Sequence, residues 1–371
     1  MDLTETPPSK IANLAGIEDE LRRQWQDIAE AHAGRDHVVT RVCTMTLIAY
    51  GADAELAKRV RKAAPAVYQR HPCRAILIEA DGQPGELGAW VATVCQMPSG
   101  GEQQVCCEQI TFTVGEEMRR RLPGAVLPLV MPDLPIFLWW PGPLHPASNV
   151  RTQLYAHADR WIIDSADFAE PLADLARLHG MLAADTHTAA SDLAWARLTP
   201  WRATLARIFD HPAARPALDA LTTVTINAKG RLAGGLLSVG WLASSLGWTP
   251  VARRSADRRY EFGFSAPHGE VAVTLAYASE RSATMGDMSL ASQAVPDLRI
   301  NVGRTGDGGA LACQVTLGEE TLLAQAGAMR PSDDGTLLNE ELNMHGHDRT
   351  YEKALAMVAR LAALPAGQEG A

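Results

Sequence analysis

Histidine pairs, adjacent cysteines and adjacent carboxylates are the residues of this chain whose types and spacing suggest chemistry. His345 and His347 lie two apart in Asn343-Met344-His345-Gly346-His347-Asp348. On a strand that spacing puts both rings on one face, where they could share a metal. A polar loop ahead of the last helix is the other reading, and the expected one. Cys106 and Cys107 would point to opposite faces of a strand, and neighbouring cysteines rarely satisfy disulfide geometry. The pair is expected to be buried and inert, with redox sensitivity for whichever thiol is exposed. Glu116-Glu117, Glu319-Glu320 and Glu340-Glu341 fall in turn or helix-end contexts, where carboxylates are ordinarily solvated. Gly306, Gly308 and Gly309 surround Asp307 between two strand-like segments, the pattern of a hairpin turn. No GxxxxGKS/T loop, GxGxxG turn or GxSxG elbow occurs. A triad assembled in space would leave no such mark. The expectation is a chain without catalytic residues, cofactor or metal.

The elements that would carry these residues follow from periodicity. Ile17, Leu21, Trp25 and Ile28 line one face of a helix over Ile17 to His32. A strand from Arg41 to Tyr50, a helix with Leu56, Val60 and Val67 on one side, and a strand at Ala75 to Ile78 make a βαβ unit. Strands are also expected at Trp90 to Cys95, Gln109 to Val114, Val126 to Met131, Ile136 to Trp140 and Trp161 to Asp164. Helices are expected at Glu116 to Leu122, at Thr152 to Ala158, and around Leu172 to Leu182. In Thr199-Pro200-Trp201-Arg202, Thr is a favoured N-cap and Pro suits the first turn. A strand (Leu221 to Asn227) and a helix (Leu232 to Leu246) follow, the helix stopped by Gly247. Five alternating segments without intervening helices then indicate an antiparallel sheet, and a closing helix starts near Thr350. The fold class is therefore α/β: a Rossmann-like α/β sheet domain at 36–198, after an N-terminal helical segment at 1–35, and an α+β domain with a mainly antiparallel sheet at 199–371.

At 371 residues the chain is too long for one ordinary core. A net charge of -9 argues against a nucleic-acid surface, which needs dense basic charge, and against adhesion to an anionic membrane. No apolar run approaches a bilayer span, and Met1 to Ser9 lacks the features of a secretory signal. The expected location is cytoplasmic, with Cys43, Cys73, Cys95, Cys106, Cys107 and Cys313 reduced and mainly buried.

What stands out is apolar and aromatic. Leu127 to Gly142 reads LPLVMPDLPIFLWWPG. Most of it must be core, but Trp139 and Trp140 are neighbours and face opposite sides of a strand. One can be core while the other reaches a surface, and Trp dominates binding hot spots.

At these residues the sequence resembles a known family, the glucose-6-phosphate dehydrogenase assembly proteins called OpcA. The resemblance is carried by Leu127 to Gly142, by Trp161 to Ser165 (WIIDS) and by Asp192 to Asp210 (DLAWARLTPWRATLARIFD). His71 to Ile76, Val105 to Ile110 and Gly235 to Trp248 (GLLSVGWLASSLGW) continue it. It implies a non-enzymatic partner that promotes assembly or allosteric activation of glucose-6-phosphate dehydrogenase in the oxidative pentose phosphate pathway. The residues that carry over as interface or signature candidates are Asp133, Trp139, Trp140, Trp201 and Arg202. Trp201, at the start of an amphipathic helix, is expected to pack internally, and Arg202 to pair with a carboxylate such as Asp133 or Asp164. The alternative is a sugar-phosphate or nucleotide-binding regulator, with Arg202 and Trp140 reading a small-molecule effector.

Overall fold

The computed structural model describes residues 3–5, 8–11, 13–32, 38–96, 103–144, 148–185, 187–230, 232–256, 258–278, 283–306, 309–329 and 332–367. Along the chain run β1 (Leu3–Glu5), β2 (Ser9–Ile11), α1 (Ile17–His32), β3 (Val38–Arg41), β4 (Thr46–Gly51), α2 (Ala54–Tyr68), β5 (Arg74–Glu79), β6 (Leu87–Gln96) and β7 (Gln103–Val114). Then come α3 (Leu122–Val126), β8 (Ile136–Trp140), α4 (Asn149–Tyr155), β9 (Arg160–Ile163), α5 (Pro171–Ala184), β10 (Ala189–Asp192), α6 (Leu193–Ala196), α7 (Thr199–Phe209) and α8 (Arg215–Leu218). The remainder is β11 (Leu221–Gly230), α9 (Ala233–Ser245), β12 (Thr249–Ala256), β13 (Arg259–Ala266), β14 (Gly269–Ala278), β15 (Ala283–Ser292), β16 (Leu298–Arg304), β17 (Ala310–Leu317), β18 (Glu320–Ala328), α10 (Asp334–Glu341), α11 (Arg349–Ala363) and β19 (Ala366–Gly367). None of the described helices is long and apolar enough to cross a membrane.

These elements form two compact units. The first comprises Met1–Asp164, Thr186–Ser191 and Ser332–Gly346; the second comprises Ser165–Asp185, Asp192–Pro331 and His347–Ala371. In the first, the sheet runs β1-β6-β7-β5-β4-β8-β9-β10, with β2 on β6 and β3 on β7. Its centre, β7-β5-β4-β8-β9, is parallel. Every residue of β4 and β5 is buried, as strands covered on both faces must be. Helix α2 packs on β4 and β5. On α1, Ile17, Leu21 and Ile28 are buried. That helix is pinned by a polar network as well as by its apolar stripe. Trp25 Nε1 donates to Glu108 at 2.8 Å, and Arg74 bridges Glu108 at 2.7 Å and Glu18 at 2.6 Å.

The second unit carries a nine-stranded sheet, β18-β17-β16-β15-β11-β14-β13-β12-β19. It is antiparallel except for β11 with β14 and β12 with β19. One face is apolar and buried, as Val224, Ile226, Val273, Leu275, Leu290 and Ile300 show. The alternation along β16 and β17 leaves the other face open. Helix α9 packs on β11, β14 and β15, and α11 packs on α9 and α5.

Several expectations need correction. The apolar run Val126 to Met131 is no central strand: it closes α3 and makes a 3-10 turn over Leu127–Leu129. Pro123 and Pro128 each occupy a first turn, where proline favours helix and its missing N–H costs nothing. The strand expected over Arg41 to Tyr50 is two strands in different places, β3 beside β7 and β4 between β5 and β8. Leu198, not Thr199, caps α7. Strands β12 and β15 and helix α10 had no expected counterpart. The hairpin turn expected around Asp307 includes Asp307 and Gly308, which lie outside the described residues, though the flanking β16 and β17 pair antiparallel.

Candidate functional site

In the first unit, β4 has β5 on one side and β8 on the other, and all three run parallel. An open α/β sheet binds its ligand outside the carboxyl ends of its strands, where the strand order reverses. Here that point lies between β4 and β8, and the chain's own groups fill it. Tyr50, near the end of β4, stacks on Trp140, which ends β8; their rings are parallel with centroids 4.0 Å apart. Burial pushes the Tyr50 phenol above its ordinary pKa. Asp53 turns its carboxylate onto the N–H of Leu56 at 2.9 Å and so caps α2. An anion approaching that helix end meets this negative charge first. Gly142, with φ 101°, passes so close to α2 that a Cβ there would lie 2.6 Å from Leu56 Cδ1. Gly51 is equally confined, since its Cβ would fall 2.5 Å from the Ala57 backbone. Arg119 spans two of the carboxyl-end loops, donating to the carbonyls of Ala52 at 3.2 Å and Ala80 at 2.6 Å. The crevice is therefore braced by side chains.

The second unit builds a cluster on Asp192, Trp195, Arg202, Asp348 and Tyr351. Asp192 opens α6, and its Oδ1 accepts from the N–H groups of Ser165 at 3.0 Å and Ala194 at 2.9 Å. Its Oδ2 accepts from the Tyr351 hydroxyl at 3.2 Å. Trp195 Nε1 donates to Asp348 Oδ2 at 2.8 Å, while Asp348 Oδ1 caps α11 through the N–H groups of Thr350 and Tyr351, both at 2.9 Å. The Arg202 guanidinium lies over the Trp195 ring, 3.4 Å from its centroid, and donates to Thr199 Oγ1 at 3.0 Å. Two residues of the DLAWARLTPWR segment, Asp192 and Trp195, thus meet the start of α11, and Arg202 backs Trp195 from the other side of the cluster.

The five signature candidates fall on two elements and the turn before one of them. Trp139 and Trp140 lie on β8 and are both buried, at 1% and 8% exposure, so neither reaches open solvent. The side that Trp140 faces is closed by Tyr50. Asp133 is exposed in the turn before β8, with φ 60°, a conformation that Asp tolerates better than most residues. Trp201 is buried on α7, and Arg202 beside it is partly exposed. Arg202 finds Trp195 and Thr199; Asp164 is instead bound by Arg59 at 2.5 Å. Sequence reasoning missed Asp192, Trp195 and Tyr351. Asp192 directly before an apolar helical turn was a readable cap signal, whereas the pairing with α11 had none.

The cysteines depart from expectation. Cys95 and Cys106 are joined by a disulfide, because β6 and β7 pair in a register that sets them opposite each other with Cα atoms 4.0 Å apart. The remaining four are free, three of them buried. Cys107 lies against Cys73: a hydrogen bond from Cys73 lowers the Cys107 pKa, and the same contact with burial raises that of Cys73. The His345 to His347 segment is a loop. Arg160 donates to the carbonyl of Met344 at 3.0 Å, and His347 Nδ1 meets Glu352 at 2.6 Å. Glu341, expected in solvent, is buried.

Family models described as the glucose-6-phosphate dehydrogenase subunit N-terminal and C-terminal domains match residues 64–180 and 188–355. The chain belongs to the OpcA family. An OxPP cycle protein OpcA of Synechocystis sp. is 28% identical over 314 residues, covering 81% of this chain and 65% of that protein. That of Nostoc punctiforme is 35% identical over 195 residues, covering 52% of this chain and 42% of that protein. The matched part of the chain thus spans less than two thirds of each of these relatives. Among solved structures, an aldose-aldose oxidoreductase from Caulobacter crescentus aligns with a TM-score of 0.45 at 14% identity, covering 86% of this chain and 97% of that one. A dehydrogenase from Clostridium difficile aligns with a TM-score of 0.43 at 10% identity, with the same coverage of each chain.

Proposed function

We propose that this chain is a non-enzymatic partner of glucose-6-phosphate dehydrogenase that promotes its assembly or shifts it to a more active state. The observation that carries the reading is the match of both halves of the chain to models named for that dehydrogenase's subunit. The first unit's crevice supports its non-enzymatic part. With Asp53 on the Leu56 N–H and Gly142 against the Leu56 side chain, a dinucleotide pyrophosphate would face a carboxylate at the helix end. An effector of this kind works by binding one state of the enzyme better than another. The exposed residues of the LPLVMPDLPIFLWWPG segment are Pro128, Pro132, Asp133 and Pro135, of which Asp133 alone carries charge, while its tryptophans are interior. In this reading Asp133 makes the contact, and Trp139 and Trp140 hold the first unit's scaffold that presents it; Trp201 holds α7, which carries Arg202, in the second unit.

The test is co-sedimentation of the dehydrogenase with wild-type chain and with Asp133→Arg. Charge reversal at the turn is expected to weaken the complex by about tenfold or more, and Asp133→Asn, which removes the charge but keeps a residue tolerant of φ 60°, should weaken it with the melting curve unchanged. A complex of undiminished affinity would remove Asp133 from the interface. The absence of any complex with the wild-type chain would sink the partner role itself.

A further inference from the structure

The open face of the nine-stranded sheet is built unlike an ordinary solvated surface. Its central row crosses the sheet through Gln314, Asn301, Ser289, Thr225, Thr274 and Glu261, each opposite the next in register. The row on one side is centred on Asn227, between Asp287 and Ala276; the row on the other is centred on Thr223, between Ala291 and Ala272. Small neutral side chains thus occupy the middle of a sheet face where exposed strands commonly carry Lys and Glu. Depletion of charge at the centre of a patch marks an interface core rather than free surface.

We infer that this face is a docking surface for a second copy of the chain, packed sheet on sheet about a twofold axis along β11. Area and charge both argue for this occupant. Nine strands about 4.8 Å apart, with three rows about 7 Å apart, give a face of roughly 40 by 20 Å, or about 800 Å² per copy. That is close to the roughly 800 Å² per partner of a stable specific complex. Rotation about β11 lays β15 over the second copy's β14, and β16 over its β13. Asp287 then lies over Ala276, one strand away from Arg259 in the same row. Arg299, in the Thr223 row, lies over Gly263, one row away from Glu261. Asp287 and Arg299 each meet a small residue flanked by the opposite charge, and the twofold makes each of these contacts twice; Lys229, also on β11, lies beyond the three rows at the rim. Thr225 sits on the axis and meets its own copy. The apolar face of the sheet has no part in this, since α9 covers it.

The experiment is sedimentation velocity on the full chain. The wild type is expected to run as two chains at micromolar concentration. Thr225→Arg places two guanidinium groups together on the axis and is expected to weaken self-association by roughly a hundredfold or more. Because Thr225 points out from the sheet of the single chain, the circular dichroism spectrum of the variant should match that of the wild type. Asp287→Arg should weaken the dimer, and Asp287→Arg combined with Arg259→Asp should restore it, which a merely structural role would not produce. A wild-type mass of one chain at tens of micromolar, or a dimer unaffected by Thr225→Arg, overturns the proposal. So does a monomeric wild type whose binding to the dehydrogenase is lost in Thr225→Arg, since the face would then belong to a different partner.

Discussion

Gly240→Ala should destabilise the second unit although alanine is the better helix former. In α9, a Cβ built on Gly240 lies 2.3 Å from the Ala354 carbonyl oxygen and 2.9 Å from Val358 Cγ2. Carbon does not ordinarily approach a carbonyl oxygen closer than about 3.3 Å. The first clash is with the backbone of α11, which no rotamer change relieves, so α11 must retreat by about 1 Å. Overpacking of this kind costs about 1–3 kcal/mol, and the gain in helix propensity returns about 0.8–1 kcal/mol. The net loss, up to about 2 kcal/mol, would lower the melting temperature by as much as roughly 8 °C in a unit of this size. Gly234 in the same helix is the control: its Cβ would meet Leu198 Cδ2 at an ordinary 3.7 Å, so Gly234→Ala should melt at or above the wild type. The retreat would also pull Tyr351 and Asp348 from Asp192 and Trp195, which tryptophan fluorescence would register. If Gly240→Ala melted at or above the wild type, the close approach of α9 and α11 would be wrong.

Other perturbations follow from the same contacts. Asp348→Ala removes the cap of α11 and the acceptor for Trp195 together, and should cost about 2–3 kcal/mol in chemical denaturation. Arg59→Ala takes the guanidinium from the fully buried Asp164 and from Asp334, and should cost about 3 kcal/mol or more by the same assay. Burial holds His71 below its ordinary pKa of 6.5. Its contribution is therefore present above that value and lost as pH falls through it, because the unfolded chain takes up the proton first. Thermal melts across that range should show the decline, and His71→Gln should flatten it. Opening the Cys95–Cys106 bond frees a short loop, and Cys95→Ser with Cys106→Ser should lower stability by about 2–3 kcal/mol.

The fold was legible wherever a single element carried its own pattern. The α1 stripe, the interior β4 and β5, and the alternation in β16 and β17 could all be read from spacing. Val126 to Met131 misled because an apolar run of that length suits a strand or a buried helical turn equally, and the prolines that decide it fit either at a boundary. Strand β15 was missed because its ATMGDMSLAS segment is made of small residues with little apolar contrast. Partnerships between distant elements were the least legible. Nothing local to Cys95 announces Cys106 across a hairpin, nor does Asp192 announce Tyr351. The tryptophans of β8 stood out for their size, but size could not show that Tyr50 closes over Trp140.

The most direct test of the central claim is the rate and particle mass of glucose-6-phosphate dehydrogenase from the same cell, measured with and without this chain by initial-rate assay and light scattering. The account predicts a stoichiometric complex, a shift in the enzyme's kinetics or oligomer size, and no turnover of glucose 6-phosphate by this chain alone. An enzyme unchanged in both rate and mass at saturating concentrations of the chain, or turnover by the chain itself, would contradict it.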